Sequence, residues 1–102
     1  MPSKRLEQKL TKENLWLYIL SLLGSRDMYG YELREAVYKK FGFKPGNVTA
    51  YRVLYSLKRK GLVEIVEKSA AGRERKYYHI TSAGKAEMSK GKSVLRAILS
   101  RL

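Results

Sequence analysis

The stretch Asn47-Val48-Thr49-Ala50-Tyr51-Arg52-Val53-Leu54-Tyr55-Ser56-Leu57-Lys58-Arg59-Lys60-Gly61-Leu62-Val63 decides the fold. At 3.6 residues per helical turn, Ala50, Val53, Leu54 and Leu57 fall on one side, while Val48, Arg52, Tyr55 and Arg59 fall on the opposite side, flanked by Thr49 and Ser56. Asn47 is the expected N-cap, and Gly61 stops the helix at the C′ position. Leu62 to Glu67 then reads as a strand rich in β-branched residues, Ser69 to Gly72 as a closing turn, and Arg75 to Ile80 as the returning strand. In that second strand Tyr78 and Ile80 share one face, and Arg75, Tyr77 and His79 share the other. A helix with a cationic outer face, followed by a hairpin with the basic tip Ala71-Gly72-Arg73, offers a phosphate backbone two separated points of contact.

Upstream, Leu15 to Leu23 carries two apolar stripes, Leu15, Tyr18, Ile19 and Leu22 on one side and Trp16, Leu20 and Leu23 on another, so it must be covered on more than one side. Thr11 is its expected N-cap and Gly24 its stop, with Leu6 and Leu10 in an earlier turn that continues into it. A second helix is expected from about Tyr29 to Lys40, with Leu33, Ala36, Val37 and then Phe41 on its apolar face and Gly42 at its end. Phe43-Lys44-Pro45-Gly46 turns the chain sharply, which makes the second and third helices a helix-turn-helix. Thr81 is expected to cap a last helix in which Met88, Leu95, Leu99 and Leu102, joined by Ile98, keep a seven-four-three spacing suited to a partner helix. Gly84 and Gly91 each cost a helix interior about 1 kcal/mol relative to Ala, so this helix is expected to depend on a partner surface. The fold class is mainly α with a small β-hairpin: a winged helix-turn-helix forming one domain over 1–102, with 82–102 as an added C-terminal dimerisation helix.

The 102 residues fit one domain. Lys and Arg total 22 against 9 Asp and Glu, a formal charge of +13. So unbalanced a charge opposes folding by self-repulsion, which favours an anionic partner over a merely solvated surface; nucleic acid, a membrane surface and acidic proteins all qualify. There is no cysteine, so disulfides and thiolate metal sites are excluded. Met1 to Leu10 has no signal-peptide core, and Leu15 to Leu23 falls far short of the roughly 20 residues of a membrane helix. A cytoplasmic protein without membrane contact is expected. With one histidine and no cysteine, neither a transition-metal site nor a catalytic histidine pair can be assembled within one chain. There is no Gly-rich phosphate loop and no nucleophile elbow, so neither catalysis nor a cofactor is expected. Glu32 and Glu35 read as ordinary salt-bridge partners.

Reading a DNA sequence requires side chains at base edges and cations or dipoles on phosphates. Arg52 suits a bidentate contact with guanine, Thr49 a thymine methyl or a phosphate, and Asn47 lies where the helix N-terminus approaches the backbone. On an isolated helix Arg52 and Arg59 would read as a solvated face; the turn before them and the wing after them reverse that preference. Tyr51 and Tyr55 offer hydroxyls to phosphates or half-buried packing, with Tyr51 at the edge of the core face. In the wing Lys68, Arg73, Arg75 and Lys76 have only Glu67 and Glu74 as local opposing charges, and Arg73 and Arg75 are the expected DNA contacts. Trp16 either lines a pocket for a small aromatic effector or is buried in a core or interface. Leu95, Ile98, Leu99 and Leu102 are expected to form a two-fold interface, helped by the helix from Leu15, whose double stripe the small domain alone is not expected to cover. The competing reading is a winged-helix module with an architectural or protein- or RNA-binding role and no DNA sequence readout.

Tyr29-Gly30-Tyr31-Glu32-Leu33, Tyr51-Arg52-Val53-Leu54, Gly61-Leu62-Val63, Gly72-Arg73 and Lys76-Tyr77-Tyr78-His79-Ile80-Thr81-Ser82-Ala83-Gly84 together resemble the PadR-like winged-helix transcriptional regulators. The resemblance covers nearly all of the chain after Thr11 and lies in the order and spacing of the five segments. It implies a homodimer on operator DNA, usually a repressor, with the C-terminal helix forming much of the dimer contact and the wing touching DNA. Some such regulators respond to phenolic acids or other aromatic compounds. The chain departs from the commoner pattern at Arg52, where many relatives have proline, and in having one short C-terminal helix.

Overall fold

The computed structural model describes residues 1–102, the side chain of Ala70 excepted. Helix α1 spans Pro2–Leu10 and buries none of its residues. It is a separate helix: the Thr11 hydroxyl donates to the Glu7 carbonyl at 2.7 Å, and a 3-10 turn, Lys12–Asn14, follows. Thr11 therefore closes α1 and does not cap the next helix, because its hydroxyl is already committed backwards to position i−4. Helix α2 spans Leu15–Leu23 and is the centre of the molecule. Its residues Leu15, Ile19, Leu20, Leu22 and Leu23 are all buried, with helices and sheet of the same chain packed around them. Most of the double stripe is thus covered within a single chain, where the sequence suggested a partner was needed, and Trp16 and Tyr18 are partly buried.

Strand β1, Met28–Tyr29, adds a third strand to the expected hairpin, and the sheet runs β1-β3-β2. Helix α3 follows as Gly30–Phe41, with Leu33 and Val37 buried and Gly42 at φ 83° ending it. It starts one residue later than the sequence suggests because Tyr29 is in the strand, its N–H donating to Glu32 Oε1 at 3.2 Å. The connection to helix α4, Asn47–Arg59, is held by packing: Phe43 lies against the core, Pro45 is buried, and Arg34 Nε donates to the Pro45 carbonyl at 3.2 Å. With Pro45 pinned, Gly46 occupies the N-cap and Asn47 becomes the first helical residue, which corrects its expected capping role. At the other end the Leu62 N–H reaches the Leu57 carbonyl at 2.9 Å, the Gly61 N–H reaches Lys58 at 3.0 Å, and Gly61 has φ 75°, a Schellman end.

Strands β2, Val63–Ala70, and β3, Arg73–Ile80, pair without interruption from Val63↔Ile80 to Ala70↔Arg73. The turn is therefore only Ala71-Gly72, both at positive φ (53° and 76°), as in the mirror-image turns that match strand twist. The strands are longer than their hydrophobic pattern indicates because pairing continues through charged residues. Helix α5 spans Ser82–Arg101; the Thr81 hydroxyl accepts from the Gly84 N–H at 3.1 Å, as expected of an N-cap. A Cβ at Gly84 would collide with the Leu62 carbonyl oxygen, and one at Gly91 would approach Leu17 Cδ1 at 2.9 Å and Trp16 Cη2 at 3.0 Å. Both glycines thus let α5 close on its own chain, where the sequence suggested only weakness in need of a partner. No described helix is long and apolar enough to cross a membrane.

The two glycines should respond differently to alanine. At Gly84 the obstacle is backbone, so Gly84→Ala is expected to cost at least the ~1–3 kcal/mol typical of overpacking. At Gly91 the obstacles are side-chain ends, and the helix-propensity gain of about 1 kcal/mol offsets much of the shift. Urea denaturation of the two variants checks this order; equal losses would contradict it.

Candidate nucleic-acid interface

Ala50, Leu54 and Leu57 are buried, so the opposite stripe of α4 has to face outward. Val48 and Tyr55 are 69% and 67% exposed, and Asn47, Thr49, Arg52 and Arg59 are exposed alongside them. Tyr51 differs: it is half exposed, and its ring lies on Gly30 at the start of α3, where any Cβ would collide with it. It therefore joins α3 to α4 by packing and presents its hydroxyl at the N-terminal end of α3. The glutamates of α3 pair outside their helix, Glu35 with Lys44 at 2.6 Å and Glu32 with Arg26 at 3.1 Å. The Lys44 hydrogen bond is the main cause holding the Glu35 carboxyl below its ordinary value.

Strand register puts Tyr29, Arg75, Tyr77, His79, Glu64, Val66 and Lys68 on one face of the sheet, and Asp27, just before β1, reaches this face through its side chain. Two cations cross this face toward β1. The Arg75 guanidinium stands over the Tyr29 ring at 4.2 Å, and Tyr29 meets Tyr77 edge-on at 5.4 Å. Lys68 passes over Tyr77 at 5.1 Å and reaches Asp27 Oδ2 at 3.1 Å, while His79 Nδ1 lies 2.7 Å from Asp27 Oδ1. Lys68 thus has an acidic partner that local sequence did not reveal, because Asp27 is brought to it by β1 from 41 positions away. The Asp27 carboxyl is held below its ordinary value, first by the His79 hydrogen bond and then by Lys68, with desolvation opposing. A depressed carboxylate contributes stability above its unfolded value, and that contribution is lost only as pH falls through the lowered one.

Arg75 is half buried on Tyr29, whereas Arg73 and Lys76 are exposed. No ion pair among the described residues engages Arg52, Arg59 or Arg73. Between α3, α4 and β3 lies a cleft of about 320 Å³ lined by Tyr29, Gly30, Tyr31, Tyr51, Arg75, Lys76 and Tyr78. Burial, and then the neighbouring Tyr51, push the Tyr78 phenol up, so it stays a hydrogen-bond donor. Sequence reasoning did not single out Tyr31 or Tyr29 as site residues; the signal was the tyrosine on each side of Gly30, the residue that had to be bare for Tyr51.

Trp16 is partly buried, donates from Nε1 to Asn14 Oδ1 at 3.3 Å, and packs over Gly91. It also separates two clefts. One, of about 460 Å³, lies behind α4 against Val53, Ser56, Leu57 and Lys60; the other, of about 370 Å³, runs along α5 past Leu10, Leu17, Val94, Leu95 and Ile98. Beyond Gly91 the helix leaves the core: Leu99 and Leu102 are 74% and 97% exposed, with Leu95 and Ile98 also open.

Residues 19–90 match the profile of the transcriptional regulator PadR-like family. The chain is similar to a PadR-like transcriptional regulator from Bacillus cereus, with a TM-score of 0.80 and 30% identity, covering 92% of this chain and 91% of that one. It is similar to a PadR family transcription regulator from Clostridium difficile, with a TM-score of 0.77 and 30% identity, covering 83% of this chain and 90% of that one. It shares the fold of Bacillus subtilis PadR, solved in complex with operator DNA, at a TM-score of 0.66 and 24% identity, over 74% of this chain and 46% of that one.

Exposed arginines on α4 and on the wing should differ in what they read. Arg52→Ala is expected to lower affinity for a selected duplex by about 1–3 kcal/mol and relax preference at one base pair. Equal losses on selected and random duplex would reduce Arg52 to a phosphate contact. Arg73→Ala is expected to weaken binding to all sequences and make the salt slope shallower by about one unit; titrations at several salt concentrations measure this, and an unchanged slope would remove Arg73 from the interface.

Proposed function

The chain belongs to the transcriptional regulator PadR-like family, and from that premise we propose that it is a sequence-specific repressor acting as a homodimer on a palindromic operator. It is a transcription regulator and not an enzyme. The observation that carries the reading is the outer side of α4, where Arg52 and Arg59 stand exposed with no acidic partner among the described residues, beside a wing that ends in Arg73. Asn47, Thr49 and Tyr55 supply polar groups on the same side, with Tyr51 and Arg75 at its inner margin. The protein acts on cytoplasmic double-stranded DNA.

Support for the dimer comes from the outer half of α5. Leu95, Ile98, Leu99 and Leu102 are exposed in the single chain, and Leu6 and Leu10 of α1 are exposed as well. Fully burying a leucine or isoleucine side chain stabilises by about 1.5–3 kcal/mol, so a second copy covering these residues gains several such contributions. A dimer brings two α4 helices to successive major grooves about 34 Å apart, which suits a palindrome. A small aromatic effector fits the clefts on either side of Trp16, one of which touches the back of α4.

Selection of bound duplexes from a random pool tests the reading. A two-fold symmetric site bound roughly 10³-fold or more tighter than random DNA is expected; comparable affinity for every sequence would instead favour an architectural module. Leu95→Asp combined with Leu99→Asp is expected to give folded monomers with steeply reduced operator affinity, followed by sedimentation and DNA titration. A dimer of normal affinity would move the interface elsewhere.

A further inference from the structure

We propose that Asp27 is a positioning residue for the wing: its one carboxylate ties both hairpin strands to the segment entering α3 and so sets where Arg73 stands relative to Arg52. The functional consequence rests on the DNA-binding reading above. The structural part does not.

Topology supplies the need for such a tie. β2 is an edge strand, and β1 pairs with β3 only at Tyr78 and Tyr77, so the hairpin from Lys76 outward has ladder bonds only within itself. Nothing in the backbone beyond that point fixes its angle to the body. Asp27 lies at the base of this lever with both carboxylate oxygens engaged, Oδ1 with His79 on β3 at 2.7 Å and Oδ2 with Lys68 on β2 at 3.1 Å. Its side chain is only 21% exposed, so these bonds are partly sheltered from competing water. Lys68 sits opposite Arg75, on the tip side of the last β1 pair, and leans back over Tyr77 to reach Asp27. The bond therefore spans the point at which the backbone ladder to β1 ends, and there it acts beside the stacking of Arg75 on Tyr29.

Charge makes the idea decidable. A carboxylate beside a DNA-binding wing repels phosphate, so removing it should strengthen DNA binding if Asp27 is only a surface charge. A positioning role predicts the opposite sign. Asp27→Ala is expected to lower affinity for the selected duplex about tenfold, the scale of one or two lost phosphate contacts, with a salt slope shallower by about one unit per contact. Asp27→Asn, which keeps an acceptor oxygen, should recover part of the loss. His79→Ala should give a smaller loss, and adding it to Asp27→Ala should cost nothing further, because both act through one tie. Should Asp27→Ala fail to fold, Asp27→Asn and His79→Ala carry the same test.

The orientation of the hairpin relative to α4 in the DNA-free protein, read from residual dipolar couplings, gives a second measure. A changed orientation in Asp27→Ala together with weaker binding supports the proposal. Binding that rises, or an orientation that does not move, overturns it. If the wild-type protein selects no DNA site, the DNA-binding reading falls, and the couplings alone still judge Asp27.

Discussion

The backbone of Gly61-Leu62 joins α4, the wing and the C-terminal helix at one point. The Leu62 N–H closes the end of α4 on Leu57, and its carbonyl accepts the Thr81 N–H at 3.1 Å. Thr81 in turn donates its hydroxyl to the Gly61 carbonyl at 2.6 Å and accepts from Gly84 at the start of α5. Two of these bonds are main-chain and two use the Thr81 hydroxyl, so the base of the wing and the end of α4 hold a common geometry that depends on one side chain, Thr81. The direction of α5 is set at the same point. A dimer built on the outer half of α5 would thus transmit its geometry to α4 through a short and stiff path. The bare Gly84 is what makes this approach sterically available.

The chain holds 22 basic and 9 acidic residues, and where the acids go matters more than their number. In the described ion pairs Glu13, Asp27, Glu32 and Glu35 engage Lys9, Lys68, His79, Arg26 and Lys44. Exposed pairs of this kind contribute little stability, about 0–1 kcal/mol each. Their larger effect is on the distribution of charge: they neutralise cations on α1, the loops and the sheet face opposite the core, and leave the outer stripe of α4 and the wing tip positive. The aromatic lattice of Tyr29, Tyr77, Arg75 and Lys68 adds order to the sheet face without adding negative charge.

Local chemistry was readable in the residues themselves. The two faces of α4, the stop at Gly61, the cap at Thr81 and the sharp connection through Pro45 follow from helical period and from backbone angles that individual residue types favour or forbid. For that reason the winged helix-turn-helix, and the outward stripe of Arg52, Tyr55 and Arg59, are legible in the sequence. Cap positions shifted by a residue at Asn47 and Tyr29, because packing of Pro45 and pairing of β1 decide the boundary.

What the sequence could not determine has one physical cause, namely contacts between residues distant along the chain. β1 is two residues long and shows no period, so only its pairing with β3 defines it. Asp27 meets His79 from 52 positions away, and no local pattern announces it. Glycine is ambiguous by nature: the missing Cβ that weakens a free helix also admits a close neighbour, and only the Leu62 carbonyl, Leu17 and Trp16 show which holds at Gly84 and Gly91. Likewise α2 is too apolar for a solvent-facing helix, and α3, α4, α5 and β3 pack around it in the same chain. Period and residue chemistry determined the longer helices and the hairpin and the faces they bury; the tertiary structure alone decided β1 and which of those faces found their cover within the same chain.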